Sequence, residues 1–432
     1  MTFRKTRVVA LLVFVAGAGG AEADSVDLGD IFHLHGYGTL GVAHSNNDQA
    51  DYVTSWITQP KGAGATSSWS PNVDSKLALQ LDADFTSRLS AVVQVISENL
   101  DNNSWTGSIN PPYRPSVDWA NVKYKVTDDF AVRVGRTLLP FGMMAEYRDI
   151  GYSLPFVRVP IEVYGSIPFT SSDGVDLSWK QHFGKKTNVV AAYGGVQTLR
   201  ANAGSTQSRL YGLTDTLELG SLTLRAAYMY SLIKSVNNIA AFEAFENAAA
   251  ALPNGEGAAA AAQAQWLDHI YNPGHWGSIE NYDLGAMYDL KSWFAMAEYS
   301  SHQSDHIFGR VADGFVAAGY HFGQFAPYLE YSRVKTRQDS QTLVSLTGLP
   351  PGLVQLGSTV NTLVTGFETG SRSQQSISAG LRWDFASNVD AKIQWDYVEL
   401  DKGSEGDFTN IQPGFRLGSN ITVLSATIDF VF

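Results

Sequence analysis

Between Arg133 and Tyr164 the chain gathers charges of both signs on a frame of prolines and aromatics. It reads Gly135-Arg136-Thr137-Leu138-Leu139-Pro140-Phe141-Gly142, then Glu146-Tyr147-Arg148-Asp149-Ile150-Gly151-Tyr152. It continues past Pro155, Arg158, Pro160, Glu162, Val163 and Tyr164 to Asp173-Gly174. These residue types could act electrostatically. Held around a narrow water-filled passage, fixed charges sort ions. Packed against one another, the same charges only hold a loop folded. The first alternative sets Glu146, Asp149 and Glu162 as an acidic side, facing Arg133, Arg136, Arg148 and Arg158 as a basic side.

Other reactive constellations are thin. His33 and His35 flank Leu34 on one face of a strand and could share a metal, but no third ligand follows nearby. His302 and His306 flank Asp305 in a polar stretch that could touch a cation weakly. No P-loop, nucleophile elbow or zinc-protease helix is present. Cysteine is absent, which removes disulfides, thiolate ligands and thiol nucleophiles. The expectation is therefore no enzyme, no cofactor and no metal. A net charge of −12 at pH 7 argues against nucleic acid, whose binding relies on neutralising phosphates.

The elements that must position these charges are strands. Leu77, Leu79, Leu81, Ala83 and Phe85 alternate with Lys76, Gln80, Asp82 and Asp84. Ile377, Ala379, Leu381, Trp383 and Phe385 alternate with Ser376, Ser378, Arg382 and Asp384. Period-two alternation sends the two sets to opposite faces of a sheet. About 16 such segments of about ten residues recur, the length a tilted strand needs to cross a bilayer. Their polar faces carry Lys76, Lys123, Lys180, Arg225, Arg382 and Lys392 interspersed with Asp82, Asp176, Asp283, Glu298, Glu330 and Asp396.

Connections sort into two kinds. Tight links fall near Thr86, Thr127–Asp129, Gly184–Lys186, Gly220, Leu290–Ser292, Gly323 and Ala386–Asn388. Long stretches fall at 44–72, 98–116, 137–172, 232–280, 335–373 and 401–419, with shorter ones near 197–208 and 302–312. Strict alternation of short and long puts all tight turns on one side of a membrane, which a soluble sandwich has no reason to do. Aromatics such as Phe85, Tyr124, Trp179, Trp293 and Trp383 sit beside tight turns, and Tyr228, Tyr282, Tyr299, Tyr331 and Tyr397 near the long-loop ends. Two such belts suit the two interfaces of a bilayer. The fold expected is all-β: a transmembrane antiparallel barrel, with short periplasmic turns and long extracellular loops.

Two loops have their own character. Residues 232–280 are Ala-rich and broken at Pro253-Asn254-Gly255, which predicts two short helices. Residues 335–373 carry many leucines and valines around Pro350-Pro351 and should pack on the barrel mouth or on another subunit.

The ends agree with export. Arg4, Lys5 and Arg7 precede an apolar run from Val8 to Ala16 and an Ala21-Glu22-Ala23 site. This predicts a cleavable signal peptide over 1–23 and a single barrel over 24–432. Leu424, Ala426, Ile428, Phe430 and Phe432 form one apolar strand face ending on an aromatic.

The run from Gly135 to Tyr164 resembles Gram-negative outer-membrane porins, in particular the branch often grouped with phosphate-selective porins. There a GR-x-x-x-P-x-G … D-x-G-Y … P-x-V-R-x-P-x-E-V-Y run follows the fifth strand. The resemblance implies a water-filled outer-membrane channel for passive diffusion of small hydrophilic solutes and ions. It also implies an inward-folding constriction loop over 137–172, a homotrimer, and presentation of Phe432 to the barrel-assembly machinery. Interspersed acids and bases on the inward faces depart from the cationic ladder of phosphate-selective members. A solute-selective channel for carboxylates, sugars or anions is the alternative. A plugged barrel serving as adhesin or structural protein is another.

Overall fold

A computed structural model describes residues 26–27, 29, 31–59, 61–99, 113–167, 169–201, 204–235, 239–290, 292–305 and 309–432. The expected signal peptide over 1–23 and His306 lie outside the described residues. Sixteen long strands join in one antiparallel sheet. They are β1 (Phe32–Ser45), β2 (Lys76–Asp84), β3 (Leu89–Glu98), β4 (Ser116–Lys125), β5 (Phe130–Leu138), β6 (Ser171–Phe183), β7 (Lys186–Ala201) and β8 (Gly204–Leu219). The second half comprises β9 (Leu222–Ser235), β10 (Gly277–Asp289), β11 (Trp293–Ser304), β12 (Arg310–Tyr320), β13 (Phe325–Arg337), β14 (Gln374–Ala386), β15 (Val389–Leu400) and β16 (Asn420–Val431). Each strand pairs with the next, and β16 pairs back onto β1 from Tyr37↔Val431 to Ser45↔Val423. The sheet is thus a closed barrel, which leaves no free edge to aggregate.

Alternation fixes the faces. Leu79, Leu329 and Ile428 point outward, while Ser425, Thr427 and Asp429 beside Ile428 are buried. Apolar side chains exposed in this way belong to hydrocarbon rather than water. Closure is sealed at the chain end. The Gly36 amide donates to the Phe432 carbonyl at 2.8 Å, and the Phe432 amide donates back at 2.9 Å. A Cβ on Gly36 would lie 2.2 Å from the Phe432 ring, and one on Gly38 would lie 2.4 Å from the Phe430 ring. These two glycines leave slots for the two terminal aromatics, a pairing known to support glycine in sheets.

The tight links fall where the sequence places them, helped by left-handed residues such as Gly220 and Asn388. Two expected loops are instead mostly ladder. At 197–208 the strands β7 and β8 pair through to Ala201↔Gly204. At 302–312, β11 and β12 pair through to Gln303↔Arg310. In both stretches the alternation fades while the hydrogen bonds continue, as a strand can do beyond the hydrocarbon, where the outward face no longer needs to be apolar.

The loop after β9 holds helices α2 (Ala240–Ala250) and α3 (Ala258–Tyr271), with a 3-10 turn at Pro253–Gly255 between them. The loop after β13 holds a third helix that the sequence does not announce, α4 (Pro351–Thr369). Proline opens it at the first helical position, where a missing N–H costs nothing. Its Leu353, Val360 and Val364 join Phe242, Phe245, Leu267 and Tyr271 in one buried cluster. The apolar loop therefore packs on the helices of the other loop, and the two together form a three-helix cap.

Candidate pore constriction

Residues 139–170, between β5 and β6, fold into the barrel. The Leu139 amide donates to the Thr170 carbonyl at 2.8 Å and closes the base of the loop. A 3-10 turn at Gly151–Ser153 and a single helical turn at Ile161–Tyr164, which we label α1, give it shape. Most of its apolar side chains land on β7–β9 and β11–β13, while Ile161 packs with Val398, Ile421 and Val423 of β15 and β16, and Ile150 with Tyr37, Ala78 and Ile96 of β1–β3. Met144, Tyr147, Phe156 and Tyr164 pack with Phe294 and Met296 of β11, Phe315 of β12 and Tyr328 of β13. Leu139, Phe141 and Phe169 pack with Tyr193 of β7, Leu210 of β8, and Ala227 and Met229 of β9. Those inward positions break the polar-inside rule of the other strands. They are the sequence signal that could have located the landing site.

Polar tethers reinforce this packing. Glu298 accepts the Met143 amide at 2.9 Å and the Tyr164 hydroxyl at 2.6 Å. Lys392 donates to the Gly151 carbonyl at 2.6 Å and to Asp429 at 2.9 Å. Arg382 donates to the carbonyls of Tyr152 and Leu154 at 2.7 and 2.9 Å. Lys392 and Arg382 thus satisfy loop carbonyls that would otherwise be buried without a partner.

The seven candidate charges divide into three groups. Glu146, Arg158 and Glu162 are buried. Glu146 accepts both bonds from Arg225 Nη1, at 2.7 and 2.8 Å, and each side chain is 3% exposed. Arg158 forks onto Asp74 at 2.7 and 2.8 Å, and it also reaches Asp396 at 3.2 Å and Ser425 at 2.6 Å. Glu162 accepts from Gln374 at 2.7 Å, from Ser332 at 2.8 Å and from Ser376. These three act as anchors.

Arg148, Asp149 and Arg133 form the second group and keep contact with water. Asp149 accepts from Lys76 at 3.0 Å, with side chains 20% and 19% exposed. Glu98 lies 3.7 Å from the same ammonium. Burial alone would push the Asp149 carboxyl up, but Lys76 and Arg148 outweigh it and hold the carboxyl below its usual range. Arg148 donates to the Ile167 carbonyl at 3.4 Å. Arg133 pairs with Asp176 across β5 and β6 at 3.0 Å. Arg136 stands alone in the third group. It lies on the outward face beside Val134 and forks onto Asp173 at 2.7 and 2.9 Å. An offset of three along a strand puts Arg133 and Arg136 on opposite faces, so Arg136 does not belong with the inward charges.

Water thus meets Arg148 and Asp149 on the loop, and the half-buried Lys76, Asp82, Lys123 and Arg133 on the wall of β2, β4 and β5. Lys76 and Glu98 belong to this set, although the sequence marks Lys76 only as an ordinary wall residue and does not single out Glu98. Among the described residues no cluster of three or more His, Asp or Glu could hold a metal.

A family model described as Gram-negative porin matches residues 9–424. No curated protein sequence matches the chain. Among solved structures, the anion-selective porin from Comamonas acidovorans is similar with a TM-score of 0.53 and 12% identity, over 93% of this chain and 99% of that one. The trimer form of OmpT from Vibrio cholerae gives 0.51 and 12%, over 93% and 100%. The outer-membrane channel DcaP of Acinetobacter baumannii also gives 0.51 and 12%, over 93% and 97%.

Proposed function

The chain belongs to the Gram-negative porins and is an outer-membrane channel for passive diffusion; from that premise we propose that the 139–170 loop sets its size limit and that Asp149, Arg148, Lys76, Glu98 and Arg133 set its charge preference. The observation that carries this reading is the division of the candidate charges. Glu146 and Arg158 are consumed in buried ion pairs and Glu162 in buried hydrogen bonds from neutral side chains, whereas the Lys76–Asp149 pair remains partly wet. A charge neutralised by a buried partner adds little to the field on permeating ions, whereas one that borders water acts on them directly. Because both signs line the wet side, selectivity is weak, and the solutes are small hydrophilic molecules and ions in general. A cationic ladder for phosphate is not supported.

No cofactor or bond-making chemistry enters this function. A homotrimer is proposed from the family and from the trimeric OmpT relative, and capture of Phe432 by the assembly machinery from the apolar outward face of the terminal strand. The buried tethers leave room for a second reading, a plugged barrel whose helical cap is the working part. Single-channel conductance with reversal potentials in a salt gradient separates the two. Discrete conductance steps with modest selectivity support the channel with its narrowed lumen. A sealed bilayer with folded protein present supports the plug.

A further inference from the structure

The outward face of β13 reads Phe325, Pro327, Leu329, Tyr331, Arg333, Lys335, Arg337 in alternate positions, all exposed. Along one strand it passes from apolar to aromatic to cationic without interruption. An alternating pair of positions advances about 7 Å along a strand. Arg333 therefore stands one such step beyond the interfacial Tyr331, at the height of lipid headgroups on the long-loop side. The neighbouring strand β12 adds Arg310, whose register partner is Arg337. Like charges directly opposite on one face oppose each other unless an anion lies between them. Acids nearby do not remove the excess. Asp339 meets Arg310, and Asp401 lies 3.5 Å from Arg333, but these are exposed surface pairs of little strength. The floor between the cations is shallow, because Lys335 faces Ala312 and Arg333 faces Gly314. Tyr299 and Val316 border that floor below, both more than half exposed.

We propose that this face of β12 and β13 is a binding site for the phosphate groups of a phosphorylated lipid in the outer leaflet. The cations take the phosphates, Gly314 and Ala312 admit the headgroup close to the backbone, and Leu329 and Val316 line the first part of an acyl chain. The net charge of the whole chain is −12, so a cationic strip here is not a consequence of overall composition. Attraction of this kind falls off within a Debye length and weakens with salt.

The test uses the folded full chain in neutral detergent, titrated with fluorescent diphosphoryl lipid A and with its dephosphorylated form. The expected result is saturable binding of the phosphorylated lipid that weakens about tenfold in the R333Q/K335Q/R337Q variant. A control that removes two outward cations elsewhere, R209Q/K234Q on β8 and β9, should bind as the parent does. Heat-shifted gel mobility confirms folding. If the triple variant does not fold, K335Q alone should weaken binding in the same direction with a shallower salt dependence. Equal binding by parent and cationic-strip variants overturns the proposal, as does equal binding of the dephosphorylated lipid. Displacement by millimolar inorganic phosphate also overturns it, since that would mark a free-anion site.

Discussion

Arg158 shows how a charge that looks functional in sequence becomes structural in three dimensions. Its fork onto Asp74 joins the inward loop to the loop after β1, and its reach to Asp396 and Ser425 joins both to β15 and β16. Removing one partner of a buried pair leaves the other charge stranded, at about 3–5 kcal/mol. Arg158→Gln should therefore destabilise the folded barrel by about that much, read as a lower denaturant midpoint, with noisier single-channel currents. Unchanged stability and noise would remove Arg158 as an anchor. Asp149 differs because it is partly wet. Its carboxyl is held below the ordinary 3.8, so its charge is intact above that pH and lost only as pH falls below it. The difference in ion selectivity between the parent and Asp149→Asn should then persist from neutral pH down to about 5, and loss of that difference near neutrality would contradict the assignment. None of these pairings is legible in sequence, because Asp74, Arg158 and Asp396 meet only through closure of the barrel. The sequence reading groups Arg136 with the inward cations, although its odd spacing to Arg133 along one strand already puts it on the outward face.

At the level of elements, strands and tight turns follow from alternation and from glycine and asparagine at left-handed positions, so they were readable residue by residue. Helix α4 was not. Its glycines and threonines, all poor helix formers, hide a helix that exists through packing on α2 and α3. Gly357 sits at that contact, where a Cβ would lie 2.4 Å from Leu346 and 2.8 Å from Phe245. Gly357→Leu should pry the cap apart. Limited proteolysis is then expected to cut within 239–271 sooner, while heat-shifted gel mobility of the barrel stays as in the parent. Equal protection would show that the helices do not depend on one another. The closure seam makes the complementary case. Gly36→Val places a branched side chain where the Phe432 ring lies, so the fraction of folded, heat-modifiable barrel should drop sharply.

The whole molecule is a closed wall with an internal loop packed mainly against β7–β9 and β11–β13, and the proposed passage runs beside the wet charges of β2, β4 and β5. Alternation alone reveals the wall, and the family resemblance reveals that a loop turns inward. The side it takes is set by the apolar inward residues of β7–β9 and β11–β13, such as Met229, Phe294 and Phe315, which stand out once the barrel is drawn. That asymmetry leads to the central claim: Asp149 faces the ion path, whereas Glu162 is held out of it. The chain has no cysteine, so a single one can be introduced at either place without background. Asp149→Cys and Glu162→Cys should be reconstituted separately in planar bilayers and exposed to a charged methanethiosulfonate reagent during single-channel recording. A stepwise fall in current at position 149, with none at 162, is the predicted result; an unaltered current through the modified Asp149→Cys channel would contradict it.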